Sequence, residues 1–365
     1  MTTLTALTDS EVEAAVASCA PGKHLLPVAG GTKPALSSAT RDDVTLIDVS
    51  ALHGIVAYDP AELTLTARAG TPIRELEATL REHGQYLPFD PPFAAAGATI
   101  GGVVAAGTSG SGAWRYGGVR DFVLGVRFVD GTGRAISAGG RVVKNAAGFD
   151  VPKLMVGSIG RLGIMLELSL KVFPRSPAAV TLEFALGSTA AAAEAALELE
   201  RSPIQLDALD IAPGGRLLAR LAGRPEDIEP RARRLASVLA SPPQSFRGAD
   251  GRELWQRVWD PVTAGDAGTL VRATSSLRAA AGLDTALAAT VGAVAHYSAG
   301  ATAAWIRWPQ DAALDRLDEL LAQQGLAGMV LLGPPDRPLI GRQNGGQFAR
   351  RIARGIDPDS RFLEL

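Results

Sequence analysis

The placement of glycine constrains this chain most. Glycines crowd the stretch from Gly97 to Gly163, and an earlier pair stands at Gly30-Gly31. Glycine adopts positive φ at no steric cost and lets backbone lie against a neighbour or a ligand. The first cluster, Val28-Ala29-Gly30-Gly31-Thr32-Lys33, follows a short apolar run read as a strand, 24–29. A Gly-Gly turn there can point several N–H groups into one concavity, a nest suited to a pyrophosphate, with the Thr32 hydroxyl beside it. It is neither a Walker P-loop nor a G-x-G-x-x-G fingerprint, and a plain tight turn is the alternative reading.

The second cluster, Ala98-Thr99-Ile100-Gly101-Gly102, leads into Gly107-Thr108-Ser109-Gly110-Ser111-Gly112. A helix starting at Thr99 would expose free N–H groups and bare backbone at Gly101 and Gly102, suiting a phosphate or a flat ring. Pro91-Pro92 stiffens the approach. The alternative is a Gly/Ala helix packed close to its neighbour. The third cluster is Lys144-Asn145-Ala146-Ala147-Gly148, then Gly157-Ser158-Ile159-Gly160-Arg161-Leu162-Gly163-Ile164. Lys144 and Asn145 offer a cation and an amide, suited to a ring edge that gains negative charge on reduction. Two ordinary loops are the alternative.

Turn and periodicity signals place helices at 8–20, 71–83 (Thr71 as cap, Pro72 as first helical residue) and 99–106, and strands at 44–49, 55–58, 63–69, 122–128, 134–136 and 162–172. Beyond a boundary near 174–177, helices are expected at 188–200, 230–239, 277–287 and 311–323, and strands at 205–211, 268–273, 291–297 and 329–332. The mixture lacks regular βαβ alternation, so the fold class is α+β.

Composition excludes several functions. A net charge of −2 gives no basic surface for nucleic acid. Cys19 is the only cysteine, so no disulfide, cysteine-ligated iron–sulfur cluster or thiolate zinc site can form within the chain. No metal site is expected. Residues 1–10 lack the features of a signal peptide, and no apolar run reaches about 18 residues, so a membrane span is not expected. A cytoplasmic location fits, with peripheral attachment at the inner membrane through partners left open.

The clusters also recur in an order that resembles a known family. Residues 26–174, with Val119-Arg120-Asp121-Phe122-Val123-Leu124-Gly125, Gly139 to Asp150 and Leu154 to Ile164, resemble the FAD-binding domain of the vanillyl-alcohol-oxidase/p-cresol-methylhydroxylase (PCMH) superfamily. They are similar to FAD-binding E subunits of bacterial glycolate oxidases. The resemblance implies a two-lobed PCMH-type FAD-binding domain over 1–176 and a smaller α+β cap domain over 177–340. The C-terminal segment 341–365 would then be free to return to the FAD domain. It implies a cofactor site of Ala29, Gly30, Gly31, Thr32 and Lys33 (pyrophosphate loop), Pro92, Thr99, Gly101 and Gly102 (pyrophosphate and flavin), Ser109 and Gly110 (ring), Asn145 (flavin), and Gly160, Gly163 and Ile164 (adenine side). Covalent flavin in the superfamily usually needs a His or Cys at a tethering position. Residues 108–118 contain neither, so FAD is expected to be non-covalent.

Oxidation of a 2-hydroxy acid needs a flavin, a cation on the substrate carboxylate and a base on the hydroxyl. His296 is the best base candidate and Arg272 and Arg342 the candidate clamps; each has a structural or solvated alternative. The resemblance then implies an FAD-bearing subunit of a glycolate oxidase complex that converts glycolate to glyoxylate. Its partners would be a larger homologous FAD subunit and an iron–sulfur subunit. A stand-alone FAD-dependent D-2-hydroxy-acid dehydrogenase or oxidase, and a non-catalytic flavin-binding scaffold, are the alternatives.

Overall fold

A computed structural model describes residues 2–140, 149–263 and 268–364. Contacts divide them into two compact units. The first takes Met1–Ser109, Gly118–Arg175 and Asn344–Leu365; the second takes Gly110–Gly117 and Ser176–Gln343.

The first unit opens with β1 (Thr2–Thr5), α1 (Asp9–Ala17), β2 (His24–Val28), α2 (Pro34–Ser37) and β3 (Val44–Asp48). α1 starts where the sequence places it, because Thr8 and Glu11 form a reciprocal capping box. The three strands make a parallel sheet in the order β1-β3-β2, the first lobe. Next come β4 (Ile55–Asp59), β5 (Thr64–Arg68), α3 (Ile73–Glu82), β6 (Gln85–Tyr86) and α4 (Ile100–Ala106). α3 buries Ile73, Leu76 and Leu80, one helical stripe. Thr71 does not cap it: Pro72 takes the cap position, and the buried Thr71 hydroxyl instead donates to Arg68 O (2.7 Å) and accepts from Gly54 N (2.9 Å). A tertiary need for a donor there outweighs the local capping preference.

After α5 (Ala113–Tyr116), which belongs to the second unit, the first resumes with β7 (Val123–Val129), β8 (Ala135–Gly139), α6 (Val151–Met155), β9 (Ile164–Lys171) and β10 (Phe173–Pro174). β4-β5-β9-β7-β8 form an antiparallel sheet, the second lobe, and β10 pairs with β6. Asp130 Oδ1 closes the β7–β8 turn by accepting from the N–H groups of Thr132 and Arg134. One core cluster joins α1, both sheets and the chain end: Val12, Val16, Leu25, Ile47, Val129, Ile164 and Phe362 are all buried.

The second unit contains β11 (Ala178–Ala185), α7 (Thr189–Arg201), β12 (Ala208–Ala212), β13 (Arg216–Gly223), α8 (Pro225–Leu239), β14 (Gln244–Arg247), α9 (Gly248–Thr263), β15 (Thr269–Thr274), α10 (Leu277–Leu287), β16 (Val294–Ser298), β17 (Ala303–Trp308), α11 (Leu314–Gln323), β18 (Ala327–Leu332) and β19 (Leu339–Gly341). Its strands form a nine-stranded antiparallel sheet ordered β14-β11-β13-β12-β16-β17-β15-β18-β19. Strand alternation separates the two faces. Tyr297 donates to Ala280 O of α10, whereas its neighbour His296 meets Trp259 of α9. The chain closes in the first unit with α12 (Gly346–Ile356) and a tail in which Phe362 bridges to Leu25.

Candidate functional site

The first unit holds a cleft of about 690 Å³, counted with its open mouth. Ala29, Gly30, Gly31, Thr32, Lys33, Thr99, Gly101, Gly102, Gly160 and Gly163 line it, so residues from all three clusters meet there. Gly31 is left-handed at φ 63°, and a Cβ on Gly30 would lie 2.3 Å from Gly97 O. The N–H groups of Gly30, Gly31, Thr32 and Lys33 find no acceptor among the described residues. The sequence offers this turn as a nest, and these amides are the unpaired donors such a role needs.

The second cluster behaves differently from expectation. The first N–H groups of α4 are not free. Ile100 N donates to Thr71 O, Gly101 N to Ala69 O, and Gly102 N to the Thr99 hydroxyl, at 2.9, 2.8 and 3.2 Å. β5 and its following turn run so close that a Cβ on Gly101 would lie 2.7 Å from Ala69 O. α4 therefore contributes bare backbone, and the unpaired donors lie on the Gly30–Lys33 turn.

Across the cleft the chain turns through Gly157, Ile159 and Gly160 at φ 80°, 44° and 74°. Positive φ is a genuine outlier for a β-branched residue such as Ile159 and costs about 1–3 kcal/mol. A Cβ on Gly160 would strike Pro27 at 2.6 Å. Beside these lining residues lie buried polar atoms without partners among the described residues: Thr108 Oγ1, Ser158 Oγ, and Nε and Nη1 of Arg161. Burial pulls the Arg161 guanidinium down to about 10. Free amides, unpaired hydroxyls and buried cations next to a long glycine-walled cleft fit a dinucleotide with a charged middle and polar ends. Sequence reading missed Thr108, Ser158 and Arg161, because only folding reveals that they are buried and unpartnered.

Four other expected residues stand elsewhere. Ile164 points into the core, and Pro92 is buried off the cleft lining. Ser109 Oγ accepts from Val119 N at 2.8 Å. Gly110 belongs to the second unit. Asn145 and Lys144 lie outside the described residues.

In the second unit, His296, Trp305 and Arg272 stand in one row across β16, β17 and β15. Strand spacing puts His296 and Arg272 about 10 Å apart on the same face. His296 is 1% exposed; its Nε2 donates to Asp210 Oδ2 at 2.9 Å, and Trp259 packs edge-on at 5.0 Å. Asp210 also accepts from Ser111 Oγ (2.6 Å) and Ala299 N (3.0 Å), and Trp259 Nε1 donates to Ser111. Arg272 has a buried Nε without a partner among the described residues, whereas Arg342 is exposed. The structure thus groups His296 with Arg272 and leaves Arg342 apart. Asp210 was missed, although an acid inside an apolar run, Ala208-Leu209-Asp210-Ile211, is the signal that marks it.

Comparison with known proteins follows this geometry. Residues 3–139 match the family described as FAD binding domain. The glycolate oxidase subunit GlcE of Escherichia coli (strain K12) is 45% identical over 163 residues, covering 45% of this chain and 46% of that protein. The D-2-hydroxyglutarate dehydrogenase of Xanthomonas citri pv. viticola is 32% identical over 165 residues, 45% of this chain and 34% of that protein. The chain thus spans less than half the length of these curated relatives. Among solved structures, an alkyldihydroxyacetonephosphate synthase matches 98% of this chain and 74% of its own with a TM-score of 0.72 at 18% identity, a likeness of fold.

Proposed function

We propose, from the match of residues 3–139 to the FAD binding domain family, that the chain is the FAD-bearing subunit of a glycolate oxidase complex. The similarity to GlcE carries the reading, since it reaches 45% identity and falls on a protein itself named as a subunit. The buried state of His296 supports it. The best base candidate is sealed against Asp210 and Trp259, so the second unit in this state offers no solvent-reachable histidine to a hydroxy acid.

FAD, when bound, supplies the hydride acceptor for oxidation of an alcohol carbon. The chain's own residues do the holding. The Gly30–Lys33 amides receive the diphosphate; Gly101, Gly102 and Gly160 give bare walls; Thr108, Ser158 and Arg161 satisfy polar edges. Attachment is non-covalent, as 108–118 contains no His or Cys. Partners are a larger homologous flavoprotein subunit and an iron–sulfur subunit that takes the electrons onward, since this chain cannot ligate a cysteine-bound cluster. Glycolate would leave as glyoxylate. Such a complex would be cytoplasmic or held peripherally at the inner membrane through its partners; no helix among the described residues is long and apolar enough to cross a membrane.

A second reading, a self-sufficient 2-hydroxy-acid dehydrogenase, draws on the shared face of Arg272 and His296. Arg272 would clamp the substrate carboxylate. Purification of the chain alone decides between them. Bound FAD whose visible band bleaches with glycolate only after partner subunits are added supports the subunit. Bleaching by the isolated chain supports the second reading. FAD that never responds, even with partners, leaves a scaffold, and colourless protein that takes up no FAD ends all three.

A further inference from the structure

Lys33 closes the free-amide turn and lines the cleft, yet only 6% of it is exposed. Its Nζ donates to Thr32 Oγ1 at 3.1 Å and sits 5.1 Å from the centre of the Phe93 ring. Among the described residues it forms no ion pair, and none of the other side chains lining the cleft ionises. The segments packed around the cleft carry four charged groups close by in sequence: Asp48, Arg68, Asp90 and Arg161. Asp48 accepts from Ser50 N, and Arg68 pairs with Asp9 and Glu167. Asp90, on the loop that carries Phe93, acts on Glu77. Arg161, beside Gly160, is a second buried cation. Neither an acid nor solvent therefore compensates the Lys33 ammonium, and burial lowers it to about 8.

An anion in the cleft would reverse that balance. The FAD diphosphate carries a negative charge on each phosphate, and the four free amides beside Lys33 are the donors such a group needs. We propose that Lys33 is a proton-linked specificity residue: the bound diphosphate draws a proton from solvent onto the Lys33 amine, so the cleft prefers a flavin dinucleotide over the bare flavin and releases it as the solution turns alkaline. This rests on the FAD reading of the cleft. Below the pH at which the empty-site amine loses its proton, binding takes up almost none. Above it, each FAD bound takes up close to one, and affinity declines about tenfold between pH 7 and 9.

The full-length apoprotein is titrated with FAD and with riboflavin at pH 7, 8 and 9 by flavin fluorescence, and with FAD at pH 9 by calorimetry in two buffers of different ionisation heat. The expected result is a roughly tenfold loss of FAD affinity by pH 9, close to one proton taken up, and riboflavin binding that is far weaker and without this slope. Lys33→Arg, which stays charged, is expected to bind FAD with a flat pH profile; Lys33→Met, flat and weaker at pH 7. FAD affinity equal at pH 7 and 9, the same slope in Lys33→Arg, or riboflavin bound as tightly as FAD overturns the inference while leaving the FAD site in place. Wild-type protein that takes up no FAD at any pH overturns the FAD reading and this inference together.

Discussion

Asp210 Oδ2 accepts the Nε2 proton of His296 across 2.9 Å, and neither side chain reaches solvent. The same carboxylate also receives Ser111 Oγ and Ala299 N, so one buried group satisfies donors from β16, the loop after it and the 110–117 segment. Removing it strands all three. Asp210→Ala is expected to cost about 3 kcal/mol, and Asp210→Asn, which keeps one carbonyl oxygen, clearly less. Urea unfolding followed by tryptophan fluorescence reads this directly, since Trp259 lies within the network. Equal stability for wild type and Asp210→Ala would remove the structural role assigned here.

Gly30 and Gly31 are adjacent, yet glycine is needed at each for a different reason. A Cβ at 30 would collide with Gly97 O at 2.3 Å, whereas at 31 it meets nothing and only φ 63° resists it. Gly31→Ala should cost about 1–2 kcal/mol, the left-handed penalty. Gly30→Ala should cost more, because backbone must move, and should weaken FAD binding by at least tenfold as the turn shifts. Gly101→Trp is a poor probe of the cofactor, since even alanine there meets Ala69 O. Thermal shift with and without FAD separates these effects; the reverse order of stabilities would count against the close approach of the two turns.

The sequence displayed its glycine clusters, the helix start near residue 8 and the turn between the strands 122–128 and 134–136, because these are local chemistry. In the fold a Thr8–Glu11 capping box makes that helix start and the Asp130 carboxylate closes that turn. Elements with broken local signals were not legible. α9 begins at Gly248, contains Gly251 and ends near Pro261, which hides a helix of 16 residues. α8 starts at Pro225, not at the Pro230 inside it, because helix continuation there is set by the packing of Ile228, Ala232 and Leu235. The free amides of the first glycine turn were legible as a nest; the occupied ones of α4 were not, since Ala69 and Thr71 lie some thirty residues away along the chain. The unpartnered Arg161 and the Asp210 network are properties of burial, which spacing alone does not reveal.

Lys33 also makes a prediction for the empty protein. Its folded-state value, about 8, lies below the ordinary 10.5. Between those values the unfolded chain binds more protons than the folded one, so folding stability rises with pH through that window. At pH 7 the buried ammonium destabilises the apoprotein, and Lys33→Met should then be more stable than wild type by about 3 kcal/mol, with the gap closing by about pH 10. Denaturant unfolding of both apoproteins at the two pH values checks this. A variant no more stable than wild type at pH 7 would show that the amine is solvated in the empty cleft.

Asp9 gives the opposite sign. Burial would raise its carboxyl, but hydrogen bonds and charge from Arg68 and Arg127 outweigh that and hold it below its ordinary 3.8. Arg68 also pairs with Glu167 at 3.0 Å, so α1 is fixed to β5, β7 and β9 by one charged cluster. A depressed carboxylate contributes stability above its ordinary value and loses it as pH falls through the folded one. Asp9→Asn is expected to cost about 1–2 kcal/mol at neutral pH, a range suited to charged hydrogen bonds at a partly exposed site. Near pH 2 the difference should shrink towards zero, because both chains then carry an uncharged group at position 9. Unfolding curves across this acid range test the sign: a penalty that grows on acidification would mean that the arginines gain nothing from the Asp9 charge.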